Sequence, residues 1–153
     1  MLTAAEIMEK APPTVGPQMS VEELGRIFIR FEISGLPVVD EGGKLIGIVT
    51  ENDFISQNKK LHIPTMLRIF DAFIPMESPS AVEQEMKKIA GITVGDICTK
   101  DPITIEESTP LDEIATIISE HKAHHLPVMR DGRLVGLVTQ HLVVRGIAAE
   151  KNL

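Results

Sequence analysis

Aromatic residues are nearly absent from this 153-residue chain: five phenylalanines, no tryptophan and no tyrosine, 3% in all. Proteins that hold single-stranded nucleic acid stack bases on aromatic faces and neutralise phosphates with a basic track. A formal net charge of −7 supplies no such track, so no nucleic-acid partner is expected. The one cysteine, Cys98, excludes an intramolecular disulfide and any multi-thiolate metal site. It occupies the apolar slot that Met8 fills earlier in the chain, where inert packing is expected. No apolar run approaches the roughly 20 residues that a bilayer crossing requires. The start, Met1-Leu2-Thr3-Ala4-Ala5-Glu6, has neither the basic segment nor the apolar stretch of a secretory signal. The expectation is a cytoplasmic protein with no membrane partner. Catalytic patterns are missing too: there is no Ser-His-Asp or Cys-His context, no G-x-x-x-x-G-K and no G-x-G-x-x-G, so no enzymatic activity is expected.

What the chain does have is an internal duplication. Leu36-Pro37-Val38 recurs as Leu126-Pro127-Val128, and each copy is followed by a glycine, two apolar residues and a threonine, Gly47 to Thr50 and Gly136 to Thr139. Pairing residues 3–39 with 93–129 and 43–55 with 132–144 gives fifteen identities in fifty pairs, against roughly one in sixteen for unrelated sequence of ordinary composition. With 43% hydrophobic and 24% charged residues, the chain reads as one globular module, 1–153, in which repeats 3–55 and 93–149 flank an insertion, 56–92. A duplicated unit this small is expected to bury one shared core and to present a ligand cleft where its copies meet.

Each repeat opens on a capping pattern, Thr3-x-x-Glu6 or Thr93-x-x-Asp96, and then a short extended segment, Thr14-Val15 or Ile103-Thr104-Ile105. Ser20-x-x-Glu23 starts a helix whose Val21, Leu24, Ile27, Phe28 and Phe31 share one face, and Leu111, Ile114, Ile117 and Ile118 repeat the pattern. Two strands follow, Leu36 to Val39 and Leu45 to Thr50, or Leu126 to Met129 and Leu134 to Thr139, joined by Gly-bearing turns. The apolar run through Gly47 hardly alternates, which predicts cover on both faces, and the glycine predicts a close backbone approach. In the insertion, Met66, Leu67, Phe70, Phe73 and Ile74 have helical spacing, and a second helix is expected from the Ser80 cap to Gly91.

The Leu-Pro-Val strand and the Gly-h-h-Thr pattern, present in tandem over about two thirds of the chain and completed by x-x-Asp in the first copy, resemble the cystathionine-beta-synthase (CBS) domain pair, or Bateman module. The resemblance implies an α+β fold: two β-α-β-β-α units packed sheet to sheet around a pseudo-twofold axis, a nucleotide cleft on each side, and association into a homodimer. It implies a regulatory sensor binding AMP, ADP, ATP or S-adenosylmethionine, with no obligatory cofactor. Carried onto this sequence, one cleft uses Ile48, Thr50 and Asp53 with Ile103, Thr104, Ala123, His124 and His125. The other uses Thr139 with Pro13, Thr14, Ile33, Ser34 and Gly35. Leu142 stands where the family carries its ribose-binding aspartate, so the first cleft is expected to be the stronger.

Physical chemistry agrees with that preference. A carboxylate accepts two hydrogen bonds from a ribose diol, and a leucine accepts none. Thr50 is expected at a helix N-terminus, whose free N–H groups favour a phosphate, and His124 and His125, with Lys122 near by, are expected to supply positive charge. Other readings stand beside these. Thr50-x-x-Asp53 is also a plain capping box, and both roles can hold together. His121, His124 and His125 have the i, i+3, i+4 spacing of a zinc site, although His125 directly precedes a strand, which would break the triad. The alternative is a ligand-free scaffold, in which the repeats and the insertion serve only to assemble a dimer or to dock an unidentified protein partner.

Overall fold

The computed structural model describes residues 1–58 and 91–153, in two halves that repeat one another. The expected insertion helices, Met66 to Ile74 and from Ser80 onward, lie outside the described residues. The first half contains α1 (Ala4–Ile7), β1 (Glu9–Lys10), α2 (Val21–Phe31), β2 (Gly35–Val39), β3 (Leu45–Thr50) and α3 (Glu51–Gln57). The second contains α4 (Val94–Ile97), β4 (Thr99–Lys100), β5 (Ile105–Glu106), α5 (Leu111–His121), β6 (His125–Arg130), β7 (Arg133–Thr139) and α6 (Gln140–Glu150). Among the described residues no helix is long and apolar enough to cross a membrane.

Local chemistry sets the boundaries. Ser20 caps α2 by accepting the Glu23 N–H at 3.2 Å, leaving one backbone donor fewer unsatisfied at the helix start. Both α2 and α5 end on a residue in the left-handed region, Glu32 and Lys122, each with φ of 51°. The β6–β7 hairpin turns on Asp131 and Gly132, with φ of 50° and 77°, the two-residue geometry whose twist matches the flanking strands. The longer first turn is organised by Asp40, whose Oδ1 accepts the N–H groups of Gly42 and Lys44, both at 2.9 Å.

The repeats exchange their opening segments, which the sequence pattern does not reveal. One sheet has the order β1-β7-β6-β5 and the other β2-β3-β4, so β1 from the first repeat edges the second repeat's sheet and β4 does the reverse. The helices follow. Ala4, in α1, is fully buried in a core with Leu111, Ile114, Leu126, Val128, Val138 and Val143. Val94, in α4, is fully buried with Val15, Leu24, Phe28, Leu36, Val38 and Val49. Backbone bonds fasten both exchanges: Ala4 N–H to Thr109 O at 2.9 Å and Leu111 N–H to Leu2 O at 2.8 Å, mirrored by Val94 N–H to Met19 O at 2.8 Å and Val21 N–H to Ile92 O at 3.2 Å. The expected single shared core is therefore corrected: among the described residues there are two, and each is closed by a helix from the other repeat.

The glycine in each second strand exists for this exchange. A methyl group on Gly47 would collide with the Thr99 carbonyl and lie 3.1 Å from Cys98 Sγ, and one on Gly136 would collide with Met8 Sδ. Gly47→Ala is therefore expected to lift β4 off β3 and to lower stability by about 1–3 kcal/mol, the usual cost of overpacking. Urea denaturation measures it, and an unchanged midpoint would contradict the close-approach argument.

Two further expectations are corrected. Thr14-Val15 is not a strand but a single bridge, in which Val15 N–H bonds Pro37 O at 3.0 Å and Val15 O accepts from Val39 N–H at 2.9 Å; the matching segment pairs only at Ile105–Glu106, parallel to β6. Phe31 does not share the buried face of α2. It is 59% exposed because the helix ends there and the chain turns at Glu32, and its ring carries the Arg30 guanidinium at 5.6 Å.

Candidate ligand groove

The two Thr caps stand at matching places, where each closing strand runs into its helix. Thr50 pairs with Gly35 across β2–β3, and Thr139 with His125 across β6–β7. The turn before each Leu-Pro-Val strand is tied to the neighbouring helix start: Glu51 N–H bonds Ser34 O at 2.9 Å and Gln140 N–H bonds His124 O at 3.0 Å. These ties bring residues 32–35, 50–53, 122–125 and 139–141 to one groove, a cavity of about 1240 Å³.

Of the residues assigned to the first cleft, Ile48, Thr50, Asp53, Ile103, Ala123, His124 and His125 line this groove, and Thr104 does not. Of those assigned to the second, Ile33, Ser34, Gly35 and Thr139 line it, while Pro13 and Thr14 do not. The two clefts expected on opposite sides open into one continuous space. Thr104, Pro13 and Thr14 are exposed and lie outside the groove lining. Their place is taken by Glu9 and Thr99 from the exchanged strands and by Asp101 and Pro102 just after β4. Only the exchange brings these into position, so local sequence gave no sign of them.

Asp53 is half-buried and binds back to its own cap. Its Oδ2 accepts the Thr50 N–H at 2.9 Å and the Thr50 hydroxyl at 3.1 Å, while Asp53 N–H donates to Thr50 Oγ1 at 3.3 Å. Among the described residues Oδ1 takes part in no hydrogen bond. The capping box and an unengaged oxygen thus coexist in one groove-lining side chain. The comparison with Thr139 is instructive: its hydroxyl accepts the Leu142 N–H at 3.3 Å and α6 forms over 11 residues without any acidic partner. A carboxylate at position 53 is more than the helix start requires.

The expected phosphate environment is corrected in two respects. The first turn of α3 is not an open row of donors, since Glu51 N–H is taken by Ser34 O and Asp53 N–H by Thr50 Oγ1. Nor do the two imidazoles act as a cationic pair. His125 Nε2 lies 2.8 Å from Ser34 Oγ, and its ring packs on Gly35, where a Cβ would come within 2.7 Å of it. This contact crosses between the repeats, and burial there, with the neighbouring His124, holds the His125 pKa below the ordinary imidazole value. His124 and Lys122 are exposed on the groove wall and are the groups free to meet an anion. The zinc spacing is not realised either. The α5 helix ends at His121, so His124 and His125 both leave its face, and among the described residues no group of three or more His, Cys, Asp or Glu is placed to hold a metal ion.

The pH consequence of His125 has a definite sign. A depressed folded-state pKa means the unfolded chain binds the extra proton first, so this contribution is fully present above the ordinary value, about 6.5, and lost as pH falls below it. Denaturation midpoints at pH 7.5 and 5.5 should therefore fall further in the parent protein than in His125→Gln, and equal falls would contradict the assignment. Burial likewise pushes the Cys98 thiol up, consistent with inert packing.

Comparison with known proteins places these features in a family. The CBS domain model matches residues 4–59 and 94–149. Over 151 residues, 94% of the chain, it is 34% identical to the CBS domain-containing protein CBSX1, chloroplastic, of Arabidopsis thaliana, and spans 63% of that protein's length. Among solved structures, CBSX2 in complex with AMP superposes with a TM-score of 0.77 at 26% identity, covering 99% of each chain. The CBS domain pair of protein MJ0100, in complex with 5′-methylthioadenosine and S-adenosyl-L-methionine, gives 0.71 at 28% identity and covers 98% of each chain. Two tandem repeats, exchanged at their openings and facing one another across a pseudo-twofold axis, identify the chain as a member of the CBS domain family.

Proposed function

We propose that this protein is a non-catalytic regulatory module that binds an adenine nucleotide (AMP, ADP or ATP) in the groove between its repeats. The observation that carries this reading is the meeting, in one cavity, of Asp53 and Thr50 from the first repeat with Ile103, Ala123 and His124 from the second. Asp53 Oδ1 accepts from the ribose hydroxyls, Ile48, Ile103 and Ala123 form an apolar slot for the base, and His124 with Lys122 faces the phosphate. The groove exceeds the roughly 300–1,000 Å³ of an ordinary small-molecule pocket, so a mononucleotide fits with room left beside it. A ligand bridging both repeats favours whichever relative orientation closes on it, which is how occupancy reaches a protein partner or a second copy of the chain. The superposition on an AMP complex supports the same assignment.

A second reading has its own observation. Five carboxylates line the described groove, from Glu9, Glu32, Glu51, Asp53 and Asp101, against the single lysine Lys122, an excess that suits the cationic sulfonium of S-adenosylmethionine. Thermal shift with AMP, ADP, ATP, adenosine and S-adenosylmethionine separates the readings. A ligand present at 100 times its Kd stabilises by about 2.7 kcal/mol, so a shift of several degrees with AMP is expected. A shift with S-adenosylmethionine alone would favour the second reading, and none with any compound at millimolar concentration would leave a ligand-free scaffold.

A further inference from the structure

The described walls of the groove that is to hold an anion are themselves predominantly acidic. They carry five carboxylates: Glu9 on β1, Asp101 just after β4, Glu32 at the end of α2, and Glu51 and Asp53 on α3. Among the described residues Lys122 is the one full positive charge facing them. A nucleoside monophosphate near neutral pH brings about two further negative charges. In a cleft with low-dielectric walls, like charges repel more strongly than they do in water.

The remaining titratable groups on those walls are histidines. Among the described residues four line the groove: His121 at the end of α5, His124 just before β6, His125 at the start of β6, and His141 in the first turn of α6. They are not equivalent. His125 is engaged with Ser34 and packed on Gly35, where added charge is poorly solvated. His141 sits beside the Thr139 cap, at the positive end of a helix, which disfavours a cation. His121 and His124 are both exposed, and His124 stands in the cleft that contains Asp53 and next to Lys122.

We propose that the groove takes up its nucleotide together with protons, bound chiefly by His124, so that occupancy reports acidity as well as nucleotide concentration. This rests on the nucleotide reading above and adds a charge requirement to it. Binding of the phosphate and protonation of His124 favour one another, because each supplies the opposite charge that the other lacks. Affinity for AMP then rises as pH falls through the range in which imidazoles titrate, about pH 5–8. A neutral ligand, adenosine, has no such requirement.

Calorimetry of the intact chain with AMP and with adenosine, at pH 8.0 and 6.5 and in two buffers of different ionisation heat, tests this. Uptake of one proton gives up to about tenfold in affinity per pH unit. AMP is expected to bind about five- to tenfold more tightly at pH 6.5, with net proton uptake, and adenosine equally at both pH values. His124→Gln should remove the pH dependence for AMP. Protonation of the phosphate itself, near pH 6, would also relieve repulsion from the carboxylates, but it would persist in His124→Gln, so the variant separates the two proton sites. AMP bound with equal affinity at both pH values, or a dependence that survives in His124→Gln, would overturn the inference and leave the nucleotide reading intact. Absence of binding by both compounds at both pH values would overturn the two together.

Discussion

Asp53→Ala is expected to weaken AMP binding ten- to a hundredfold. Asp53 lines the groove, and its two oxygens differ: Oδ2 closes the capping box on Thr50, while among the described residues Oδ1 makes no hydrogen bond. Removing a charged acceptor from a pair of hydroxyls costs about 1.5–3 kcal/mol. Loss of the cap is a distinct and smaller effect, about 1 kcal/mol or less, because Thr50 continues to accept the N–H of residue 53. The two are told apart by measuring affinity and the ligand-free melt on the same variant, with Asp53→Asn as a second substitution that keeps the volume and one acceptor. The reverse change is informative too: Leu142→Asp gives the second half of the groove the acceptor it lacks, and should add a second, weaker binding event. Equal affinities for the parent and Asp53→Ala would remove the carboxylate from the ribose site.

Val94→Ala is expected to cost about 2 kcal/mol, from two lost methyl-sized groups plus the cavity they leave, and to weaken the half of the molecule to which Val94 does not belong in sequence. Val94 is fully buried against Leu24, Val38 and Val49. Native-state hydrogen exchange should therefore show faster opening at the amides of those residues than at Leu126, Val128 and Val138 in the second core. Faster exchange confined to the second core would contradict the exchanged arrangement.

That arrangement marks where the sequence stops being informative. Helix α2, strands β2, β3, β6 and β7 and the caps at Ser20, Thr50 and Thr139 are written in local patterns: apolar residues at helical spacing, glycine in tight turns, a hydroxyl before a helix. Residues governed by near neighbours can be read from them. The partner of a two-residue strand is set by tertiary packing, and nothing in Glu9–Lys10 or Thr99–Lys100 states that each crosses to the other repeat. Gly47 and Gly136 were the only sign, showing that some backbone came close without saying which. The same limit governs the groove. Ile48, Thr50 and Asp53 are legible because they sit on or just after the Gly-h-h-Thr segment that carries the family resemblance, whereas Glu9, Thr99 and Asp101 arrive by the exchange. His124 and His125 look alike as a dipeptide, yet one is exposed on the groove wall and the other is held by Ser34, a distinction that depends on a residue 91 positions away.

The groove's assignment as a nucleotide site is tested most directly by a crystal structure of the protein grown with saturating AMP. The account predicts one AMP across the two repeats, its ribose hydroxyls within hydrogen-bond distance of Asp53 Oδ1, its base between Ile48 and Ile103, and its phosphate beside His124. A groove empty of nucleotide at saturation, or AMP bound with its ribose turned away from Asp53, would contradict it.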